Sequence, residues 1–151
     1  MEESIDLYRK ITEEFGIRRQ NICTYSPLTL AYIGDGIYEI VIRSIVVGNG
    51  NEQVNKLHKK SSSLVKAEVQ SEMIKYLMGE LTEEEEQIFK RGRNAKSFTA
   101  AKNASIQDYR MATGFEALMG YLYMEGKTER MFELIKKGIS ATGNIQEDKN
   151  I

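Results

Sequence analysis

Three acidic residues, Asp35, Glu39 and Glu116, stand out by where they occur. Asp35, Glu39 and Arg43 are spaced by four along LTLAYIGDGIYEIVIRSIVV, so they form one polar stripe on a segment that is apolar around almost its whole circumference. Glu116 is the one charge in MATGFEALMGYLYM, and Thr113 lies one turn before it. A carboxylate on so apolar a helix needs a counter-ion, hydrogen bonds or a metal, because an unpaired buried charge is expensive. Glycines flank both acids, Gly34 and Gly36 around Asp35, and Gly114 and Gly120 around Glu116. Each costs about 1 kcal/mol relative to alanine inside a helix, a cost that close approach of two backbones or of a ligand would explain. The simplest geometry packs the two helices together, with Asp35 and Glu116 facing one site. With no His or Cys ligands at hand, two converging carboxylates favour a hard ion, Mg²⁺ or Mn²⁺. The competing reading is an internal salt bridge from Glu116 to Arg43 or Arg110.

Two basic clusters could meet phosphate. One holds Lys56, His58, Lys59, Lys60 and Lys66; the other runs from Lys90 through Arg91, Arg93, Lys96 and Lys102 to Arg110, with Asp108 its lone acid. The segment RGRNAKS combines bidentate arginines, an amide and a glycine, which suits phosphate and sugar contacts. Lys59, Lys60, Arg91, Arg93, Asn94 and Lys96 are therefore the candidates to position a nucleic-acid backbone. Few aromatics interleave with these charges, so recognition of a duplex by shape fits better than base stacking. A solvated helix surface is the ordinary alternative for any one of these lysines.

The elements that must position these groups are helical. Of 151 residues one is proline, Pro27, and no alternating segment is long enough for a sheet. Helices are expected from about Ile5 to Phe15, over 27–47, over 52–78 with a break near serines 61–63, from the Thr82/Glu85 capping box to about Gly92, from a Ser105/Asp108 cap to Glu125, and over 128–140. The expectation is one all-α domain over 1–141, its leading helix and loop in 1–26, with a disordered tail at 142–151.

Lys plus Arg is 21 and Asp plus Glu 22, for a net charge of −1, which excludes a simple polycation. A single cysteine, Cys23, and a single histidine, His58, exclude intrachain disulfides, thiolate zinc and multi-histidine metal sites. The acidic, amphipathic start MEESIDLYRK does not read as a signal peptide. With a free thiol and no membrane-length apolar run, this points to the cytoplasm.

AYIGDGIYE resembles the signature helix of the ribonuclease III domain, and TGFEALMGYLYMEG its second acidic helix. The short form, with LHKKSS and EEEEQIFKRGRNAKS, resembles the mini branch of that family, which lacks a double-stranded-RNA-binding domain. The likeness covers about Leu28 to Ser140. It implies a helical endonuclease domain acting as a homodimer, and Mg²⁺-dependent hydrolysis of double-stranded RNA to 5′-phosphate and 3′-hydroxyl ends. For the mini branch it implies trimming of the ends of 23S ribosomal RNA precursor; whether a ribosomal protein or ribosomal particle joins as a further partner stays open at this point. Asp35 falls on the signature aspartate and Glu116 on the essential glutamate, so both are expected to be catalytic and to bind Mg²⁺. Tyr32 falls on the aromatic that docks into the partner subunit. Ala31 and Thr113 stand where the larger family has carboxylates, so four carboxylates per site are not expected. Glu39 either orients a metal-bound water or pairs with Arg43, and Thr113 is its companion as a supporting residue. The competing function is a non-catalytic RNA-binding or ribosome-assembly module on the same fold.

Overall fold

The computed structural model describes residues 6–96 and 105–143. Among these, every regular element is a helix: α1 (Leu7–Glu14), α2 (Pro27–Gly48), α3 (Val54–Val65), α4 (Ala67–Leu77), α5 (Glu83–Asn94), α6 (Ile106–Met124) and α7 (Thr128–Thr142), with short 3-10 turns at Ile22–Thr24 and Met78–Glu80. The expected tail falls largely on 144–151, outside the described residues. Thr142 still belongs to α7, which closes at the left-handed Gly143 (φ 81°) rather than near Ser140.

Local chemistry starts the long helices. Ser26 caps α2 by accepting from the Thr29 N–H at 3.2 Å, and Pro27 fills the first position, where a missing N–H leaves no bond unmade. Ser105 caps α6 through the Asp108 N–H at 3.0 Å. In α5, Thr82 and Glu85 bond each other's backbone N–H reciprocally at 3.1 and 2.9 Å. Glu85 has a second task. Its two oxygens accept from Arg130 at 2.9 Å each, and Arg130 also donates to the Glu80 carbonyl at 2.8 Å, tying α5 to α7.

α6 is the central element, with α2, α4, α5 and α7 packed around it. The core gathers Leu30, Tyr38 and Ile42 of α2, Met73 of α4, Phe89 of α5 and Phe115 of α6, all buried. Full burial of such a side chain contributes about 2–3 kcal/mol, so α6 is held far more firmly than its own helix propensity could hold it.

Two further boundaries differ from expectation. The break in the third segment comes at Lys66, which is extended (φ −62°, ψ 148°), and not at the serines. Ser61 and Ser63 stay helical, their hydroxyls donating to the His58 and Lys60 carbonyls of the same helix at 3.2 and 2.7 Å. The fourth helix continues past Gly92 to Asn94, because Gly92 is buried against α6, where a Cβ would lie 2.8 Å from that of Ala117.

Candidate active site

Asp35 and Glu116 meet because α2 and α6 touch backbone to backbone. A Cβ on Gly34 would overlap the carbonyl oxygen of Glu116 and lie 2.8 Å from the Gly120 nitrogen. A Cβ on Gly120 would overlap the carbonyl oxygen of Leu30 and lie 2.9 Å from Cγ2 of Ile33. Only glycine on both sides permits this approach. Asp35, next to Gly34, is at the surface, while Glu116 is mostly buried.

The electrostatics of the pair are unbalanced. Burial, then the Asp35 charge and the Asp35 side chain against it, push the Glu116 carboxyl up to about 8, with Glu39 adding in the same direction. Among the described residues, neither carboxylate has an ion pair: Arg43 bonds Glu39 at 2.9 Å instead, and Arg110 is exposed. The internal salt bridge that competed for Glu116 is thus not formed with Arg43. Glu39 takes the pairing role expected as one of its two alternatives.

The surrounding groups divide into those facing the pair and those turned away. Thr113 is buried, but its hydroxyl donates to the Tyr109 carbonyl of its own helix at 2.9 Å. Sequence reasoning missed Tyr38 and Gln70. Tyr38 lies one turn from Asp35, fully buried; its hydroxyl donates to the Leu64 carbonyl at 2.7 Å, its ring meets Phe115 edge-on, and burial with the Glu116 charge raises its pKa. Gln70 of α4 lies beside Glu116 and favours its ionised form. Periodicity places Tyr38 in the core; nothing local in the sequence singles out Gln70.

Among the described residues no group of three or more His, Cys, Asp or Glu side chains could hold a metal. Two acidic side chains are nonetheless a fitting set for Mg²⁺, which keeps several waters and is commonly held by one or two carboxylates with phosphate. The burial and the repulsion from Asp35 that disfavour ionisation of Glu116 are what a dication would offset.

The basic candidates are more dispersed. Lys59 is exposed on α3, while Lys60 is half-buried and pairs with Glu52 at 2.5 Å. His58 and Arg43 line one small cavity of about 190 Å³, which sets α3 against the Arg43 end of the stripe. At the end of α5, Arg91, Asn94 and Lys96 are exposed; Arg93 lies over the Phe89 ring at 5.6 Å and donates to Asn94 at 3.0 Å. The rest of that loop, 97–104, is outside the described residues. Tyr32 is 81% exposed on α2. No helix among the described residues is long and apolar enough to cross a membrane.

A helical fold with paired carboxylates at a glycine-mediated helix crossing defines a class, and comparison with known proteins gives the same one. The ribonuclease III domain matches residues 28–127. A crystal structure of a Fusobacterium nucleatum protein superposes with a TM-score of 0.73 at 31% identity, covering 82% of this chain and 99% of that one. The Mini-ribonuclease 3 of Clostridium tetani is 54% identical over 82% of each chain. That of Thermoanaerobacter is 42% identical over 92% of this chain and 96% of its own. The chain belongs to the ribonuclease III domain family, in its Mini-ribonuclease 3 branch, and is an endoribonuclease.

Proposed function

We propose that this endoribonuclease cleaves double-stranded RNA in a Mg²⁺-dependent reaction at Asp35 and Glu116, as a homodimer in the cytoplasm, and that its substrate is the ends of 23S ribosomal RNA precursor. The observation that carries the reading is the Asp35–Glu116 pair itself. Two carboxylates share one site, without a cationic partner among the described residues, at the α2–α6 crossing that Gly34 and Gly120 make close. The ribosomal substrate, with a ribosomal protein or particle as partner, rests on the branch the chain resembles.

Asp35 and Glu116 would hold the ion. When bound, Mg²⁺ (or Mn²⁺ in its place) supplies Lewis acidity, easing deprotonation of water and offsetting charge on the scissile phosphate. Asp35 offers its carboxylate from the surface of α2, where a duplex can reach it. Glu116 offers one from below, fixed by α6. Glu39 bonds Arg43 and so keeps that arginine aligned along the stripe. Lys59, Lys60, Arg91, Arg93, Asn94 and Lys96 position the RNA backbone through phosphate and sugar contacts, which set register without reading sequence. Tyr32 is the anchor offered to the second subunit.

Cleavage of a double-stranded RNA with and without Mg²⁺, comparing the intact protein with Asp35→Asn and Glu116→Gln, tests this reading. Cutting is expected to need the ion and to vanish in both variants while duplex binding persists. Full activity in either variant would remove the pair from the chemistry.

A further inference from the structure

A primary amide shut away from water should have its donors and acceptor satisfied. Gln70 of α4 is 1% exposed, yet its Nε2 has no hydrogen-bond partner. α4 packs on α6 and brings this amide beside the Glu116 side chain. An amide serving only the core would bond a backbone carbonyl, as the Tyr38 hydroxyl does with Leu64. Gln70 instead leaves an N–H for an acceptor that itself has no cationic partner among the described residues.

We infer that Gln70 is the positioning residue of the site: its buried, unpartnered amide is held for the Glu116 carboxylate and, by donating to it when the site works, keeps that group turned toward Asp35. This rests on the reading that Asp35 and Glu116 form the active site. The carboxylate has two oxygens and free rotation about its last bond. A donor fixed on a separate helix selects one orientation, leaving the other oxygen for the ion shared with Asp35. Partners of this kind typically change metal affinity by about 10–100-fold when removed.

The experiment measures Mn²⁺ binding to the RNA-free protein by electron paramagnetic resonance, alongside melting temperature and steady-state cleavage. Gln70→Met keeps the volume and removes the donor. It is expected to weaken Mn²⁺ binding by about 10–100-fold and to lower kcat with KM for RNA unchanged, while the melting temperature holds or rises. A structural role would move the melting temperature and leave Mn²⁺ binding alone. Mn²⁺ affinity and kcat within about twofold of the parent protein, under that same expectation, would overturn the inference. Should Gln70→Met not fold, Gln70→Asn, which withdraws the amide by one methylene, decides the matter: weakened Mn²⁺ binding supports the inference and unchanged binding overturns it. Asp35→Asn separates the two layers. If it loses Mn²⁺ while Gln70→Met retains it, only the role of Gln70 fails; if Asp35→Asn also binds Mn²⁺ normally, the site reading fails.

Discussion

The contact between α2 and α6 makes Gly34→Ala the most informative single change. The added methyl would lie 2.8 Å from the Gly120 nitrogen and overlap the Glu116 carbonyl oxygen, both backbone atoms that cannot swing aside. Restoring an ordinary separation of about 3.5 Å from the Glu116 oxygen, the nearest obstacle, requires the helices to part by about 1.5–2 Å. Overpacking of this sort costs about 1–3 kcal/mol, and the upper end applies where the obstacle is backbone. Alanine returns up to about 1 kcal/mol of helix propensity, which does not cover the difference. Catalysis should suffer more than stability, since a displacement of about 1 Å between reacting groups can cost about 100-fold in rate. Gly48→Ala is the control: the same helix and the same exchange, with nothing within 4 Å of the new methyl. Urea denaturation followed by circular dichroism should show Gly34→Ala destabilised by about 2–3 kcal/mol and Gly48→Ala unchanged or slightly stabilised. Cleavage assayed where both remain folded should fall only in Gly34→Ala. Equal stability of the two variants would refute the argument that the glycines set the spacing of the acids.

Glu85→Gln should cost about 3 kcal/mol at neutral pH by breaking the pair with Arg130, whose guanidinium holds the Glu85 carboxyl below its ordinary value despite burial. Because that pKa is lowered, the stabilisation is full above the unfolded value of 4.5 and fades as pH falls below it, so parent and variant should converge in acid melts; a difference independent of pH would contradict the ion pair. Arg93→Ala should weaken duplex binding at all sequences alike and flatten its dependence on salt by about one unit of slope, and an unchanged slope would take Arg93 off the RNA surface.

What could be read from the sequence was local. Ser26-Pro27, Thr82 with Glu85, and Ser105 with Asp108 act within one turn, and each starts its helix where the residues indicate. The meeting of Asp35 and Glu116 was also legible, because glycines at both acids have no purpose in isolated helices. Features set by tertiary packing were not. Lys66 carries no helix-breaking signal, and α3 ends there although the polar serines before it fit the helix well. Gly92 looks like a terminus but serves as a notch for Ala117. Gln70 sits in a stretch of ordinary helix formers, and its significance comes wholly from a partner on another helix. Thr113, one turn from Glu116, has the spacing of a supporting residue, yet its hydroxyl bonds its own helix.

The neutral residues at Ala31 and Thr113 bear on how the site is balanced. Both are buried beside acids that already repel each other, with Glu116 pushed up to about 8 by burial and Asp35. A further carboxylate at either position would add a like charge to a dry environment, and every added charge there disfavours ionisation of its neighbours. Folding without an ion therefore tolerates two acids better than four. The same economy has a consequence for the reaction proposed here. Asp35 and Glu116 alone would leave much of the coordination of Mg²⁺ to water and RNA phosphate. Ion and duplex would then stabilise one another's binding, and by linkage the coupling would act equally in both directions. Two carboxylates would hold the ion loosely in the absence of phosphate, which would tie its chemistry to the presence of the strand to be cut.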